Sequence, residues 1–228
     1  MKLLAVDTST VACSVALQVE DIVLQRHEEQ EREHTRLLVP MIEEVLAEGA
    51  CTLSSLDALV LGVGPGSFIG LRISASLVQG MAHGAGLRVA PVSSMLAVAE
   101  EVFATQDADH VFVAQDAHMD QVYLGQYAFG DGVVPLQAER LQAKTRLAEL
   151  DDGGREGRVA AGAGWQRYPE LWSKNSDGFE SLADICFPSA RFLLPSARRM
   201  VTDRRLLDPA EIEPAYLRQD VATPPRHP

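Results

Sequence analysis

Residues 59–84 read LVLGVGPGSFIGLRISASLVQGMAHG, and this stretch decides the fold of the N-terminal half of the chain. The apolar run at its start predicts a buried strand, and the glycines and proline that follow predict a tight turn. Ser67 can cap a helix, because its hydroxyl can accept a hydrogen bond from a free amide of the first helical turn. The helix is predicted to extend to about His83 and to end at Gly84 or Gly86, since glycine readily adopts the left-handed cap conformation.

The glycine turn does not match the two common phosphate-binding motifs. A dinucleotide-binding fingerprint needs the spacing G-x-G-x-x-G, and Gly62 and Gly64 are followed at that spacing by Ser67. A P-loop needs a lysine at the start of the helix, and no basic residue lies between Gly62 and Leu71. An anion site made of backbone amides at the helix start stays open as an alternative. We favour a structural strand-to-helix turn.

The helix predicted at 67–83 is apolar on two sides of a narrow polar stripe, which is more apolar surface than a helix lying on one sheet requires. One side continues the apolar run of the preceding strand, and we assign it to the core of the chain. The inward set is Phe68, Leu71, Ala75 and Val78. The other side is expected to face a partner chain. The outward set is Ile69, Arg72, Ile73, Ser76, Leu77, Gly80 and Met81.

A second helix is predicted over His34–Glu48, with Pro40 marking either a late start or a kink. Its apolar residues span an arc of about 180°, again wider than a surface helix needs. A large apolar surface on a globular protein is typical of a partner site. The candidate contact residues on this helix are Leu37, Leu38, Met41, Ile42 and Val45.

Composition and charge limit the possible functions. Hydrophobic residues make up 46% of the 228 residues, which indicates a globular chain, and no apolar run approaches the length of a membrane span. The three cysteines are widely spaced and form no metal-binding pattern, so a reducing cytoplasm is expected. The formal net charge of −12 argues against RNA binding by the chain alone, although it allows RNA binding within a complex that has a basic subunit.

The first 29 residues predict three strands joined by tight turns, and consecutive strands of this kind are antiparallel neighbours. We expect a five-stranded mixed sheet within residues 1–100, with both wide-faced helices on one side of it. The first strand ends at Asp7, Thr8 and Ser9. This opening is similar to that of actin-like ATPases, in which such residues face nucleotide phosphates and their metal ion. On these residues alone, we favour the simpler interpretation that Asp7 and Thr8 satisfy the amides of a turn.

The second half of the chain predicts a smaller α/β lobe. A strand pair flanks the sequence DAHMD, in which Asp116, His118 and Asp120 lie close together. Together with Asp7 these residues suggest a metal site, but acidic residues beside a histidine in a turn are more often solvated. We predict an N-terminal subdomain over 1–105, a C-terminal subdomain over 106–220 and a disordered tail over 221–228.

Six motifs in sequence order show that the chain resembles the bacterial TsaB family, also called YeaZ. The motifs are MKLLAVDTST, EHTRLLVPMIEEVL, LGVGPGSFIGLRI, PVSSM, DAHMDQVY and PAYLR. The most specific motif is GPGSFIGLR, in which Ile69 stands where the family usually has threonine. His118 stands where arginine is usual. Neither difference changes the apolar character of the two predicted partner helices.

The resemblance implies an actin-like ATPase fold with two subdomains and a scaffolding role without a catalytic residue in this chain. Members of the family act with TsaD-like and TsaE-like proteins to form threonylcarbamoyl on N6 of the adenosine next to the anticodon, in tRNAs that read ANN codons. The resemblance implies a heterodimer with TsaD through the first two helices, and a similar homodimer. It places ATP and a metal ion on the partner subunits, and tRNA contact within the complex only.

An alternative function stays open, namely that of an actin-fold kinase or ATPase acting on a small molecule. The absence of a lysine at the glycine turn argues against it. The histidine spacing also fits the scaffolding role, because no two histidines are four residues apart on a predicted helix, as a shared metal site would need. Asp7, Thr8 and Ser9 are therefore interpreted as a vestigial nucleotide site.

Overall fold

The computed structural model describes residues 1–150 and 154–218. The N-terminal lobe begins with a β-hairpin and a third strand, and then alternates helices and strands. Its elements are β1 (Lys2–Asp7), β2 (Ala12–Val19), β3 (Ile22–Glu29), α1 (His34–Glu48), β4 (Ala58–Gly62), α2 (Phe68–Ala85), β5 (Val89–Val92) and α3 (Ser94–Thr105). The helix predicted from the glycine-rich stretch is α2. As predicted, Ser67 caps it, and its Oγ accepts a hydrogen bond from the backbone N of Gly70 at 3.2 Å.

The first sheet has five strands in the order β3-β2-β1-β4-β5. β1 pairs antiparallel with β2, and β2 pairs antiparallel with β3. β4 pairs in parallel with β1, and β5 pairs in parallel with β4. The connections that contain α1 and α2 return the chain to the same end of the sheet, so each new strand runs in the same direction. This is the mixed five-stranded sheet that the hairpin signals predicted.

The two faces of this sheet are covered by different helices, as the alternation of side chains along β1 shows. Leu4 and Val6 point to a core shared with α1 and α2, whereas Leu3 and Ala5 point to a second core on the opposite face. The two wide-faced helices therefore lie together on one side of the sheet, as predicted. This places α1 and α2 next to each other and leaves the outer side of α2 free of the sheet.

The orientation of α1 corrects the sequence prediction. Four of the residues proposed for a partner surface are buried in the chain's own core, with side chains between 0% and 5% exposed. These are Leu38, Met41, Ile42 and Val45. They pack on the long strand β2 and on α2, so the wide apolar arc of α1 serves this chain rather than a partner. Leu37 is only partly buried and stays in the predicted partner surface.

The C-terminal lobe is built on a second mixed sheet. Its elements are β6 (His110–Asp116), β7 (Gln121–Gly130), β8 (Gly132–Pro135), β9 (Arg140–Ala143), β10 (Arg158–Ala161), α4 (Ala163–Arg167), α5 (Pro169–Asn175), β11 (Ser181–Leu182) and α6 (Leu194–Thr202). The sheet order is β11-β10-β6-β7-β8, and β9 also pairs with β7. Trp165 and Phe179 fill the core on one face, and α3 covers the other face with Met95 and Val98.

The last described segment returns to the first lobe. Leu194 and Ala197 of α6 pack on the face of the first sheet that is opposite to α2. Leu207 then forms a β-bridge with Val89, and Ile212 enters the core beneath α2. The predicted division at residue 105 stays a prediction, but this segment lies across it. The predicted disordered tail, 221–228, is outside the described residues.

Replacement of Leu38 by alanine tests whether this face of α1 belongs to the core. Leu38 is 1% exposed, so Leu38→Ala should lower the free energy of unfolding by about 2–5 kcal/mol, because a large side chain is removed from a packed core. Ile69 is 70% exposed, and Ile69→Ala should change the stability by less than about 0.5 kcal/mol. Urea denaturation followed by circular dichroism measures both. Equal stability of the two variants would contradict the assignment.

Candidate functional site: the loop after the first strand and the outer face of the second helix

Asp7, at the end of β1, has a fully buried side chain with hydrogen-bond partners on both carboxylate oxygens. Its Oδ1 accepts hydrogen bonds from the backbone N and the Oγ of Ser9, at 2.8 and 2.7 Å. Its Oδ2 accepts a hydrogen bond from the Oγ of Ser94, the first residue of α3, at 2.6 Å. Ser94 Oγ in turn accepts one from the backbone N of Gly64 at 3.0 Å. The carboxylate therefore links β1, α3 and the glycine turn.

The glycine turn packs its backbone directly on Thr8 and Ser9. The backbone N of Ser67 donates to the carbonyl of Ser9 at 2.6 Å, and the Oγ1 of Thr8 donates to the carbonyl of Gly70 at 2.7 Å. A Cβ atom at Gly66 would lie 2.1 Å from the carbonyl oxygen of Ser9, and one at Gly70 would lie 2.0 Å from that of Thr8. No side chain fits at those distances, so the motif needs glycine for close backbone approach.

The residues Asp7, Thr8 and Ser9 do not fit the metal-bound phosphate that the sequence resemblance suggested for this position. Their side chains are at most 1% exposed, and the hydroxyls of Thr8 and Ser9 both donate within the chain. Burial raises the pKa of the Asp7 carboxyl above its ordinary value of 3.8, and this outweighs the lowering effect of the hydrogen bonds from Ser94 and Ser9. The loop is closed by the chain's own glycine turn.

The outer face of α2 carries the predicted partner residues, and the structure divides them into two groups. Ile69, Arg72, Ser76 and Gly80 are exposed. Ile73, Leu77 and Met81 are partly buried and contact the core of the first lobe along their inner edges. Leu71, Ala75 and Val78 face the core as predicted.

Phe68 does not face inward and corrects the prediction, because its ring is 43% exposed at the start of α2. The ring of Tyr216 lies against it, with centroids 5.4 Å apart, and the guanidinium of Arg72 lies 3.8 Å above it. Arg72 Nε also donates to the hydroxyl of Tyr216 at 3.4 Å. Sequence reasoning did not include Tyr216 in this surface, because 144 residues separate it from Arg72; the only available signal was the aromatic residue in the motif PAYLR.

An open groove of about 690 Å³ runs along α2 between its outer face and the short 3₁₀ turn Leu53–Ser55. The α2 residues that line it include the small residues Ser76, Gly80 and Gly84, and the apolar residues Leu77 and Met81. A Cβ atom built on Gly80 or Gly84 would meet no other atom within 4 Å. Small residues and open space on an exposed helix allow a second helix to approach closely.

The acidic cluster of the second lobe is a turn that the chain itself satisfies. The Oδ1 of Asp116 accepts hydrogen bonds from the hydroxyl of Tyr168 at 2.7 Å and from the backbone N of His118 at 2.8 Å. Residues 118–120 all have positive φ angles, as in a tight hairpin turn. Within residues 1–150 and 154–218, no three His, Cys, Asp or Glu side chains form a group that could hold a metal ion. Residues 118–120 therefore form a turn, and Asp116 is held by hydrogen bonds within the chain rather than being fully solvated.

Comparison with known proteins identifies the family. The model of the TsaD family, described as tRNA N6-adenosine threonylcarbamoyltransferase, matches residues 21–180. The tRNA threonylcarbamoyladenosine biosynthesis protein TsaB of Haemophilus influenzae is 36% identical over 228 residues, which cover 97% of this chain and 95% of that protein. The TsaB protein of Escherichia coli is 34% identical and covers 97% of this chain and 96% of its own length. The chain belongs to the TsaB family.

Solved structures of the TsaB family show the same architecture. The Pseudomonas aeruginosa protein described as YeaZ is 32% identical, with a TM-score of 0.85, and the match covers 95% of this chain and 99% of that one. The two mixed sheets flanked by helices are the actin-like ATPase fold of the TsaB family, as the sequence predicted. In the described part of the chain, no helix is both long and apolar enough to cross a membrane.

Replacement of Asp7 by asparagine tests the buried state of the carboxylate. Burial raises the pKa of the Asp7 carboxyl in the folded protein above 3.8. At pH values between 3.8 and that raised pKa, the folded protein therefore keeps a proton on Asp7 that the unfolded chain has lost. The free energy of unfolding of the wild type should therefore fall as the pH rises from 3.8 through the folded-state pKa, whereas asparagine does not titrate. Asp7→Asn should gain stability relative to the wild type between pH 4 and pH 7 in urea denaturation.

The same replacement at Asp131, which is exposed, is the matched control for the change in net charge. It should keep a nearly constant stability difference from the wild type over this pH range. A constant difference for Asp7→Asn as well would show that the Asp7 carboxylate is solvated in the folded protein.

Proposed function

We propose that this chain acts in the biosynthesis of threonylcarbamoyladenosine in tRNA, as a non-catalytic subunit that binds a TsaD-like protein through the outer face of α2. The names of the relatives support the reaction, and the outer face of α2 supports the role as a binding subunit. The single observation that carries the proposal is the state of Asp7, Thr8 and Ser9. The chain fills this position with its own backbone, so it offers no phosphate site there.

The proposed contact is a packing of helices across the groove. Ile69 and the exposed edges of Leu77 and Met81 supply apolar area, while Ser76 and Gly80 allow close approach of a partner helix. A second copy of the chain can use the same face, so self-association and partner binding would compete. A stable interface buries about 800 Å² on each partner, which requires contacts beyond the groove, and the neighbouring Phe68 and Tyr216 can supply them.

The other components follow from this assignment. The metal ion, ATP and the transfer chemistry belong to the TsaD-like and TsaE-like partners, and this chain positions the TsaD-like subunit. A small-molecule kinase or ATPase is the alternative, and isothermal titration of the purified chain with Mg-ATP distinguishes the two. Tight binding with one nucleotide per chain would favour the enzyme and contradict the proposal.

Replacement of Ser76 by arginine tests the interface. Ser76 is exposed and lines the end of the groove nearer the start of α2, so Ser76→Arg should leave the chain folded. It should weaken both self-association and binding of the TsaD-like partner by at least about 100-fold, because a buried unpaired charge costs several kcal/mol. Light scattering after size-exclusion chromatography measures both interactions, and formation of modified adenosine by the reconstituted proteins should be lost.

Ser173→Arg is the matched control, because Ser173 is an exposed serine on α5 in the second lobe. This variant should bind the partner and support modification like the wild type. Ile73 is a less suitable test position, since its partial burial against the core means that a charge there also affects folding. Normal complex formation by Ser76→Arg would place the interface elsewhere.

A further inference from the structure

A group of arginines near α6 stands out in a chain that is otherwise strongly acidic. The chain has a net charge of −12, yet residues 191–205 contain five of its 20 Lys and Arg residues and a single acidic residue, Asp203. This segment alone therefore carries a formal charge of +4 (five arginines minus one aspartate). The scaffolding role does not account for this concentration of positive charge.

The fold brings several of these arginines to the C-terminal end of α6. Arg198 is exposed on the last turns of the helix, while Leu194 and Ala197 are buried beneath it. The chain then folds back, since the backbone N of Arg204 donates to the carbonyl of Val201 at 3.1 Å.

Two further arginines join this end of the helix. The backbone N of Arg205 donates to the carbonyl of Met200 at 2.8 Å. Arg88 approaches from the start of β5, and its Nη1 donates to the carbonyl of Leu206 at 3.5 Å. We call Arg88, Arg198, Arg204 and Arg205 the α6 basic patch.

Most of the charge of this patch is not neutralised by the part of the chain that the structure describes. Arg205 pairs with Asp203 at 2.8 Å, in an exposed ion pair. Among the described residues, no carboxylate oxygen lies within 4.0 Å of the side-chain nitrogens of Arg88, Arg198 or Arg204.

The arginine that neighbours the patch behaves differently. Arg199 is partly buried and pairs with the buried Glu100 at 3.2 Å, so the chain itself neutralises its charge. Glu100 and Glu101 on α3 interact with Arg198 and Arg191 over a longer range. The patch therefore keeps a net positive charge that faces solvent.

We infer that the α6 basic patch contacts the phosphate backbone of the tRNA when the chain is part of its complex. This inference rests on the proposed function, which supplies the RNA. Guanidinium groups pair well with phosphate oxygens, and phosphate neutralisation contributes most of the affinity for nucleic acids. The rest of this acidic chain repels RNA, so the patch also determines which side of the chain the RNA can approach.

The position of the patch is compatible with partner binding. α6 covers the face of the first sheet to which Leu3 and Ala5 point, and α2 covers the face to which Leu4 and Val6 point. A partner seated on the outer face of α2 therefore leaves α6 accessible. An RNA long enough to reach from the partner's active site around the edge of the sheet can contact both subunits.

The test is a double variant, Arg198→Gln with Arg204→Asn, assembled with the TsaD-like partner. Asparagine is chosen at 204 because that residue has a φ of 56°, which asparagine tolerates better than most residues. Binding of an unmodified transcript of a tRNA that reads ANN codons is measured by fluorescence anisotropy over a range of salt concentrations. Affinity should fall about five- to twentyfold, and the slope of log K against log salt should decrease in magnitude by about 1.5.

The matched control is Arg155→Gln with Arg167→Gln, which removes the same charge from exposed positions of the second lobe. Both double variants should bind the partner protein like the wild type. Equal tRNA affinity and salt slope for the two double variants would overturn the inference and show that the arginines only balance the negative end of the α6 dipole. If the Arg198→Gln, Arg204→Asn variant lost binding to anionic lipid vesicles but kept the tRNA affinity of the wild type, the inference would be overturned in favour of a membrane surface.

The experiments distinguish failure of the proposed function from failure of the inference about the α6 basic patch. If the wild-type chain forms no complex with the partner and supports no modification, the proposed function falls, and this inference falls with it. If the wild-type complex forms and modifies tRNA but the α6 variant equals its control in tRNA affinity, only the inference falls.

Discussion

The close backbone contact between the glycine turn and the loop after β1 is the constraint on which the rest of the first lobe depends. Ser67 donates to the carbonyl of Ser9, and Thr8 donates to the carbonyl of Gly70. These bonds determine where α2 begins and how it is rotated about its axis. Because the rotation is set at the first turn, one side of the helix meets the sheet and the opposite side faces outward over its whole length.

The same contact encloses the end of the first strand within the chain. The Asp7 carboxylate accepts hydrogen bonds from Ser9 and Ser94. A buried carboxylate is costly unless it is fully hydrogen-bonded, and this one holds three elements together. The end of β1 is thus occupied by packing within the chain, while α2 has apolar surface that its own sheet does not cover.

The C-terminal segment joins this arrangement to the second lobe. After α6 it pairs Leu207 with Val89, and the backbone N of Ala215 donates to the carbonyl of Val63 at 2.8 Å. Arg218 then donates to the carbonyl of Ala117 in the β6–β7 turn at 2.9 Å. One extended strap thus contacts both lobes, and it places Tyr216 beside the first turn of α2. The edge of the proposed partner surface is therefore made by residues distant in sequence.

Local sequence was sufficient for the elements of this fold and for its family. The alternation of side chains, the helical period, the Ser67 cap and the glycine turn depend on neighbouring residues, and so they predicted β1, β2, α1 and α2 and the antiparallel first hairpin. The motif GPGSFIGLR identified the family because it is specific. Its glycines at 66 and 70 lie so close to a neighbouring backbone that no side chain fits there.

Only the tertiary structure decided which apolar surfaces are covered. Helical periodicity shows that α1 has a wide apolar arc, but whether the arc meets β2 or a partner depends on how the helix is docked. Contrary to the sequence prediction, the docking of α1 buried Leu38 and Val45, and the docking of α2 left Phe68 exposed. The tertiary packing likewise brought Tyr216 to Arg72, and Arg88 to the segment that follows α6. Burial and contacts of this kind join segments far apart in the chain, which local patterns do not record.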